Sequence, residues 1–574
     1  MTSAAGFRAG AIALALGAAF SGNSESHRHS EAAPAWRVTF TDVAREAGLT
    51  HPSIYGGIDR KRFIIETNGA GVGLVDVDRD GWLDVFVLSG TTLADGARAD
   101  VRYDPGEAPT NRLYRNKRDG TFEDVTVRSG LRRTGWASSV CAGDYDNDGW
   151  IDLFVTYFGR NVLYRNRGDG RFDDVTEASG LASSLDRWGS GCTFIDTDRD
   201  GRLDLFVANY LRFDLQRAPE PGAGPNCVWK GIPVNCGPKG LPTDTNLLYR
   251  NEGNGKFTNV SERSGIAGVT GRYSMTAIAA DLTGDEWPDI YVASDSTAAI
   301  LYRNNRDGTF TDVAVESGAA YSEHGSPQAG MGVAVGDYNN DGLLDIAKTH
   351  FADDIPALYR NLGKGMFEDS AVAAGLHVQN RYVQWGTGLC DFDNDGFADL
   401  FAVTGHVYPE IERSLEQYPH RGPRLLFRNT GVRFEDVTAA SGAAVTTPHS
   451  SRGAAFGDVD NDGDVDVLIM NMNEPPSLLR NDYRGGNAWI DVVLEGRDSN
   501  RSAIGATVVV TAGGTRQARA LTSQSSYYSH DALRLHFGLG DASKADEITV
   551  RWPSGRVQRE RDLGARRTIT IVER

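Results

Sequence analysis

Asp76, Asp78, Asp80 and Asp84 occupy positions one, three, five and nine of a nine-residue segment that has Gly81 at position six. The spacing returns four times in full: Asp144, Asp146, Asp148 and Asp152; Asp196, Asp198, Asp200 and Asp204; Asp391, Asp393, Asp395 and Asp399; Asp458, Asp460, Asp462 and Asp466. Two variants bring the set to seven. One reads Asp337, Asn339, Asp341 and Asp345; the other reads Asp281, Thr283, Asp285 and Asp289, with Glu286 where the others carry Gly. Alternate carboxylates on a turning backbone converge on one point, where they repel one another unless a cation joins them. Oxygen ligands in that number suit Ca²⁺ better than Mg²⁺, which takes fewer carboxylates and keeps its waters. The expectation is Ca²⁺ at five to seven sites, with the Asp337 loop lower in charge and the Asp281 loop a weaker ligand set. Its role would be structural, because a site saturated by protein oxygens leaves no open position for a substrate.

The formal net charge is −18, and the seven loops hold 26 aspartates at positions one, three, five and nine; without those aspartates the chain would stand at +8. The acidity is therefore mostly ligand charge. No basic tract of the density that nucleic acid requires is present. Arg8 followed by the apolar run from Ala9 to Phe20 reads as a signal peptide, with a polar linker to Ala35. That predicts a secreted or periplasmic protein without a membrane span. Cys227 and Cys236 flank a loop rich in Pro, Gly and Asn and are expected to form a disulfide. Cys141, Cys192 and Cys390 lie in apolar strands and read as buried thiols.

The elements around the loops repeat as well. A small-residue apolar strand enters each loop and an alternating apolar strand leaves it. A third strand follows: LYRN at 113–116, 163–166, 248–251, 301–304 and 358–361, LFRN at 426–429 and LLRN at 478–481. After a Gly-rich turn comes a fourth, such as FEDV at 122–125 and FTDV at 310–313. Period-two alternation rich in Val, Phe, Tyr and Thr marks strands and excludes an EF-hand, which needs flanking helices. Four strands every 52 to 85 residues are the pattern of propeller blades. A fourth-strand copy, FTDV at 40–43, opens the chain with no third strand before it, and LLRN at 478–481 has no fourth strand after it. Each completes the other if the N-terminal strand joins the last blade and closes the ring. The expected fold is all-β: a seven-bladed propeller over residues 36–485, preceded by residues 1–35 and followed by a small β domain over 486–574.

These repeats resemble the FG-GAP or VCBS repeats of integrin alpha-subunit propellers. With the Cys-containing insertion before the fourth blade, the chain is similar to the cartilage acidic protein 1 family. Asn500-Arg501, Ile504-Gly505-Ala506, His536 to Gly540 and Trp552 to Gly555 look like the ASPIC/UnbV domain of that family. The resemblance implies Ca²⁺-binding blades, secretion and extracellular interaction, and it supplies no common catalytic motif.

If the acidic loops mark one face, the opposite face collects the ends of outgoing strands and the beginnings of incoming ones. Trp136, Arg187, Trp188, Asn209, Arg272, Asp295, His350, Trp385, His406 and Arg452 would then ring a central ligand funnel. There is no nucleophile elbow, phosphate loop or dinucleotide fingerprint, so no residue is assigned a catalytic role. The leading function is a binding or adhesion module for an extracellular protein or glycan partner. Two rivals stand beside it. One is a lyase, hydrolase or cyclase using the funnel on a glycan or secondary metabolite; the other is a scaffold subunit docking through its C-terminal domain.

Overall fold

The computed structural model describes residues 36–93, 108–183 and 186–574, so the expected signal segment, 1–35, lies outside the described residues. Trp36–Arg574 forms one compact unit. Around the first acidic loop, Val72–Val75, Asp84–Val87, Arg112–Asn116 and Phe122–Asp124 pair in chain order into a four-stranded antiparallel sheet. The same order recurs around the loops at Asp281, Asp337 and Asp391. The sheets around Asp144 and Asp196 are laced together where Arg187 pairs with Gly159 and Trp188 with Phe158.

The last loop lies in a sheet with a strand from the other end of the chain. Ser451–Gly457, Asp466–Asn471 and Ser477–Asn481 are completed by Phe40–Asp42, with Phe40 opposite Asn481 and Asp42 opposite Leu479. This is the exchange that the repeat phase called for. It joins strands more than four hundred positions apart and satisfies an edge that would otherwise stay open.

Outgoing strands such as Asp204–Asn209 and Asp466–Asn471 are buried at every residue, which explains their unbroken apolar character. The third strands bury Leu and Asn while the Arg between them points outward in most copies, as in Val162–Asn166. Five incoming strands carry a bulge near their start; the register slips, for example, between Ala137 and Val140, Ser274 and Ala277, and Gln384 and Thr387. A bulge leaves a backbone N–H without a ladder partner, and a buried N–H needs one.

The C-terminal region supplies those partners. It consists of two sheets. One holds Leu535–Gly540, Ala488–Glu495 and Arg567–Val572, the last two parallel; the other holds Thr515–Ala520, Thr507–Ala512, Lys544–Arg551 and Val557–Gly564. Ile490, Val508, Phe537, Ile548 and Trp552 fill the layer between them. From this sandwich the segment 523–531 runs in among the incoming strands. Val140 N–H donates to Tyr528 O at 3.0 Å, Ala277 N–H to Gln524 Oε1 at 3.1 Å and Thr387 N–H to Ser526 Oγ at 2.9 Å. Val333 N–H donates to Ser526 O at 2.7 Å, Val72 N–H to Ser529 Oγ at 3.2 Å and Phe456 N–H to Asp531 Oδ1 at 2.9 Å. Tyr527 and Tyr528 stack at 3.9 Å between ring centroids and are fully buried. The segment acts as a polar plug.

Candidate metal centres and the opposite face

Each acidic loop is built on one hydrogen-bond template. The position-one carboxylate receives the N–H groups of positions five and six: Asp80 and Gly81 on Asp76 at 3.0 and 2.9 Å, Asp148 and Gly149 on Asp144 at 3.0 and 2.7 Å. The position-five carboxylate caps position seven, as Asp80 does for Trp82 at 2.9 Å. The position-nine Asp opens the outgoing strand and takes the N–H of the Asn that ends the third strand, as Asp84 does from Asn116 at 2.8 Å. Positions four and six both lie in the left-handed region, at φ 55° for Arg79 and 85° for Gly81. In the Asp281 loop, Glu286 itself adopts φ 74° at position six while Gly284 fills position four, so the turn is kept with a strained residue.

In five loops, three aspartates bring ligand oxygens within 4.8 Å of one another: Asp76, Asp78 and Asp80; Asp144, Asp146 and Asp152; Asp196, Asp198 and Asp200; Asp391, Asp393 and Asp399; Asp458, Asp460 and Asp466. These groups could hold metal ions. Burial pushes Asp84 and Asp144 up to about 7 and Asp196 and Asp458 to about 8, and neighbouring aspartates add to the shift. Carboxyls so placed hold protons near neutrality unless a cation offsets their charge. A second observation is independent of titration. Asp78 Oδ1, Asp146 Oδ1, Asp393 Oδ1 and Asp460 Oδ1, all at position three, are buried without a hydrogen-bond partner. A hard divalent cation supplies what such oxygens lack, so the residues fit one.

The other two loops follow the same template with fewer charges. Asp337 receives Asp341 and Gly342 N–H at 3.0 and 2.9 Å, and Asn339 turns its Nδ2 to Asp341 Oδ2 at 2.9 Å. In the Asp281 loop, Thr283 Oγ1 donates to Asp289 Oδ2 at 2.9 Å, and Asp285 caps Trp287 N–H at 3.0 Å.

The Arg and Asn of the third-strand motif, read from the sequence only as strand residues, belong to these sites. Arg165 reaches Asp146 at 2.7 Å and Asp148 at 3.0 Å, Arg428 reaches Asp393 at 2.9 Å and Asp395 at 3.2 Å, and Arg250 reaches Asp198 at 2.9 Å. Each motif Asn sends Nδ2 to the position-two carbonyl of the preceding acidic loop: Asn166 to Val77, Asn251 to Tyr145, Asn304 to Thr197 and Asn361 to Leu282. Asn429 reaches Tyr338, Asn481 reaches Phe392, and Asn116 reaches Val459 of the last loop. The chain of contacts returns to its starting point. The recurring Asn at a fixed offset was the available signal.

The C-terminal sandwich rests on the acidic-loop side. Arg501 N–H donates to Asn147 Oδ1 at 2.8 Å, Arg534 to Asn461 Oδ1 at 2.6 Å, and His536 Nε2 lies 2.6 Å from Asn394 Oδ1. Ala518 N–H even reaches a position-one carboxylate, Asp337 Oδ2, at 3.2 Å. The loops thus support this domain as well as their own sheets.

Of the ten residues expected to ring a funnel, Asp295 and Trp385 line a cavity of about 460 Å³ at the beginnings of incoming strands. The others serve the framework around it. Trp188 is buried edge-on to Tyr210 at 5.1 Å, and Trp136 packs on Tyr55 at 6.0 Å. Arg187 is ion-paired to Asp244 at 2.8 Å, Asn209 donates to Thr245 O at 2.8 Å, and Arg272 keeps a buried Nε without partner. Arg452 lies 4.1 Å over the Trp385 ring and donates to Thr67 O at 2.9 Å. His350 and His406 are buried; burial drives His350 well below the usual range and His406 to about 3, which makes both weak bases. Tyr527 and Tyr528 lie among the incoming strands, with contacts that include Trp385 at 4.9 Å and Met275 Sδ at 3.1 Å.

The expected disulfide joins Cys227 to Cys236, while Cys141, Cys192 and Cys390 are free. The insertion it closes walls the cavity with Trp229, Asn235 and Cys236. Among the described residues, no helix is long and apolar enough to cross a membrane.

Residues 76–155, 144–207, 240–292 and 281–347 match the FG-GAP-like repeat family, and residues 496–574 match ASPIC and UnbV. Cartilage acidic protein 1 of Homo sapiens is 24% identical over 512 residues, spanning 85% of this chain and 69% of that protein. The Xenopus tropicalis protein of the same name is 25% identical over 510 residues, spanning 85% and 70%. Among solved structures, BBS1N in complex with ARL6DN is 11% identical at a TM-score of 0.40, covering 77% of this chain and 97% of that one.

Proposed function

For a chain that carries FG-GAP-like repeats and an ASPIC and UnbV domain and is distantly related to cartilage acidic protein 1 over 85% of its length, we propose a calcium-stabilised extracellular binding protein. In this reading, residues 36–485 form a closed seven-bladed propeller and residues 486–574 a docked β domain. The pairing of Phe40–Asp42 with the last sheet and the returning cycle of Asn contacts support the count. The observation that carries the metal assignment is the partnerless position-three oxygen, repeated in four loops.

Bound Ca²⁺ would supply charge compensation and fix each loop; Asp76, Asp78, Asp80 and Asp84 and their counterparts would hold it. Once fixed, the loops hold the outgoing strands in register and give the C-terminal sandwich a rigid seat. The face away from the loops is left to meet a protein or glycan partner. A secreted location follows from residues 1–35 and agrees with the disulfide. The test is a melting curve in excess Ca²⁺ and again in chelator, with export followed in cells by cleavage shortly after the apolar run that ends at Phe20. A large fall in melting temperature on chelation supports the reading. Melting indifferent to both treatments removes it.

A further inference from the structure

The cavity opposite the acidic loops has features that its framework does not use. Asn68 Nδ2 and Asn235 Oδ1 both belong to cavity-lining residues, are at least nine-tenths buried, and have no hydrogen-bond partner. One is a donor and the other an acceptor. Buried amides left unpaired cost about 1–3 kcal/mol each, and both belong to residues that line one concavity, so a ligand toward which these amides turn supplies the missing partner. Asp295 completes the polar set. Tyr210 Oη donates to its Oδ2 at 2.6 Å and Ser296 Oγ to its Oδ1 at 2.9 Å, which fixes the carboxylate and leaves lone pairs on both oxygens.

Five aromatic residues, Tyr210, Trp229, Phe351, Trp385 and Tyr408, share the lining with aliphatic ones. Trp229 stands among His406 at 4.8 Å, Tyr418 at 4.9 Å and Phe351 at 6.1 Å, and Trp229 and Phe351 are only half-buried. Plug residue Tyr527 donates to Asn68 O at 3.1 Å and packs on Trp385, which closes the concavity from behind. The cavity is therefore a blind pocket built from sheet ends, the disulfide-closed insertion and residues braced by the C-terminal plug.

Ligand classes separate by what they leave unsatisfied. A hydrocarbon strands both amides. An anion meets Asp295 and Asp354, with one rim cation, Lys239, to offset them. An alkylammonium satisfies the carboxylates but has no acceptor for Asn68 Nδ2. A sugar hydroxyl both donates and accepts, and the C–H face of a pyranose lies well on Trp or Phe. We infer that this pocket is a saccharide-binding site that takes one or two sugar units, with Asn68, Asn235 and Asp295 reading hydroxyls and Trp229 and Phe351 holding the ring. The inference deepens the reading of the protein as an extracellular binding module and rests on it.

The test titrates the Ca²⁺-loaded full chain with a panel of hexoses, pentoses, N-acetylhexosamines, uronic acids and their disaccharides. Tetramethylammonium and inorganic phosphate are titrated beside them, with calorimetry and tryptophan fluorescence as readouts. At least one saccharide is expected to bind, and Asp295→Asn and Trp229→Ala to weaken it by about tenfold or more. Trp229 is half-buried against His406, Tyr418 and Phe351, so the melting curve of its variant is recorded beside its affinity to separate binding from folding. The inference is overturned if no saccharide binds, if only tetramethylammonium or phosphate binds, or if both variants bind sugar as the wild type does. Because each titration uses protein whose Ca²⁺-dependent melting shift has been verified, a negative result strikes the pocket and leaves the metal reading standing.

Discussion

Gly71→Ala tests the plug where it presses hardest on an incoming strand. A Cβ at Gly71 would lie 1.8 Å from Tyr528 O and 2.3 Å from its carbonyl carbon. Both are backbone atoms, so no side-chain rotation relieves the overlap. Either the strand Val72–Val75 or the plug must move by more than an ångström. Three hydrogen bonds stand across that contact: Val72 N–H to Ser529 Oγ at 3.2 Å, His530 N–H to Val72 O at 2.9 Å, and Leu74 N–H to His530 O at 3.1 Å. At about 1 kcal/mol each, their loss costs about 3 kcal/mol. That agrees in scale with the about 1–3 kcal/mol typical of overpacking. Gly486→Ala is the control, since nothing lies within 4 Å of the added carbon. Denaturant unfolding gives the stability difference, and amide exchange over residues 523–531 shows where it arises. Gly71→Ala should lose stability and exchange protection in the plug; Gly486→Ala should lose neither. Equal behaviour of the two variants would refute the insertion of this segment among the incoming strands.

Three further outcomes follow from the same geometry. Asn166→Ala removes the donor to both Val77 O and Ile151 O and should cost about 2–3 kcal/mol in denaturant unfolding, because two buried carbonyls lose a partner. Glu286→Gly relieves a left-handed backbone at φ 74° and should stabilise by about 1 kcal/mol, read as a higher midpoint; an unchanged or lower midpoint contradicts the strain. Burial lowers His406 to about 3 and His530 to about 4, so below the usual value of 6.5 the unfolded chain takes protons that the folded chain refuses. Stability is thus unaffected above that value and falls as pH drops beneath it, by about 2 kcal/mol per histidine at about pH 5. His406→Gln should remove one such share from the wild-type pH profile.

The repeat and its phase were legible because they are written in local pattern. Alternation fixed the strands, Asp spacing fixed the turns, and the two orphaned strands at 40–43 and 478–481 marked a pairing that Phe40 and Asn481 make. The plug was not legible. Ser523 to Ser529 is polar and aperiodic, and such text ordinarily means a surface loop. It is buried because bulged incoming strands offer N–H groups that only polar atoms can satisfy. The small residues at the starts of those strands, Gly71, Gly386 and Gly453, were visible as a pattern, but their reason lies in backbone and side-chain atoms that come within 3 Å of an added carbon. Of the residues expected to ring a funnel, few were placed by pattern alone. Asp295 and Trp385 reach the cavity, while Asn68, Asn235 and Trp229 come from an entry segment and an insertion whose placement no periodicity encodes.

Counting bound calcium tests the central claim most directly. Equilibrium dialysis of the full chain against Ca²⁺ should give five or more equivalents per molecule, one for each converging aspartate group, with Asp458→Ala lowering the count by one. Protein that is folded by circular dichroism yet binds no calcium at millimolar concentration would contradict the account.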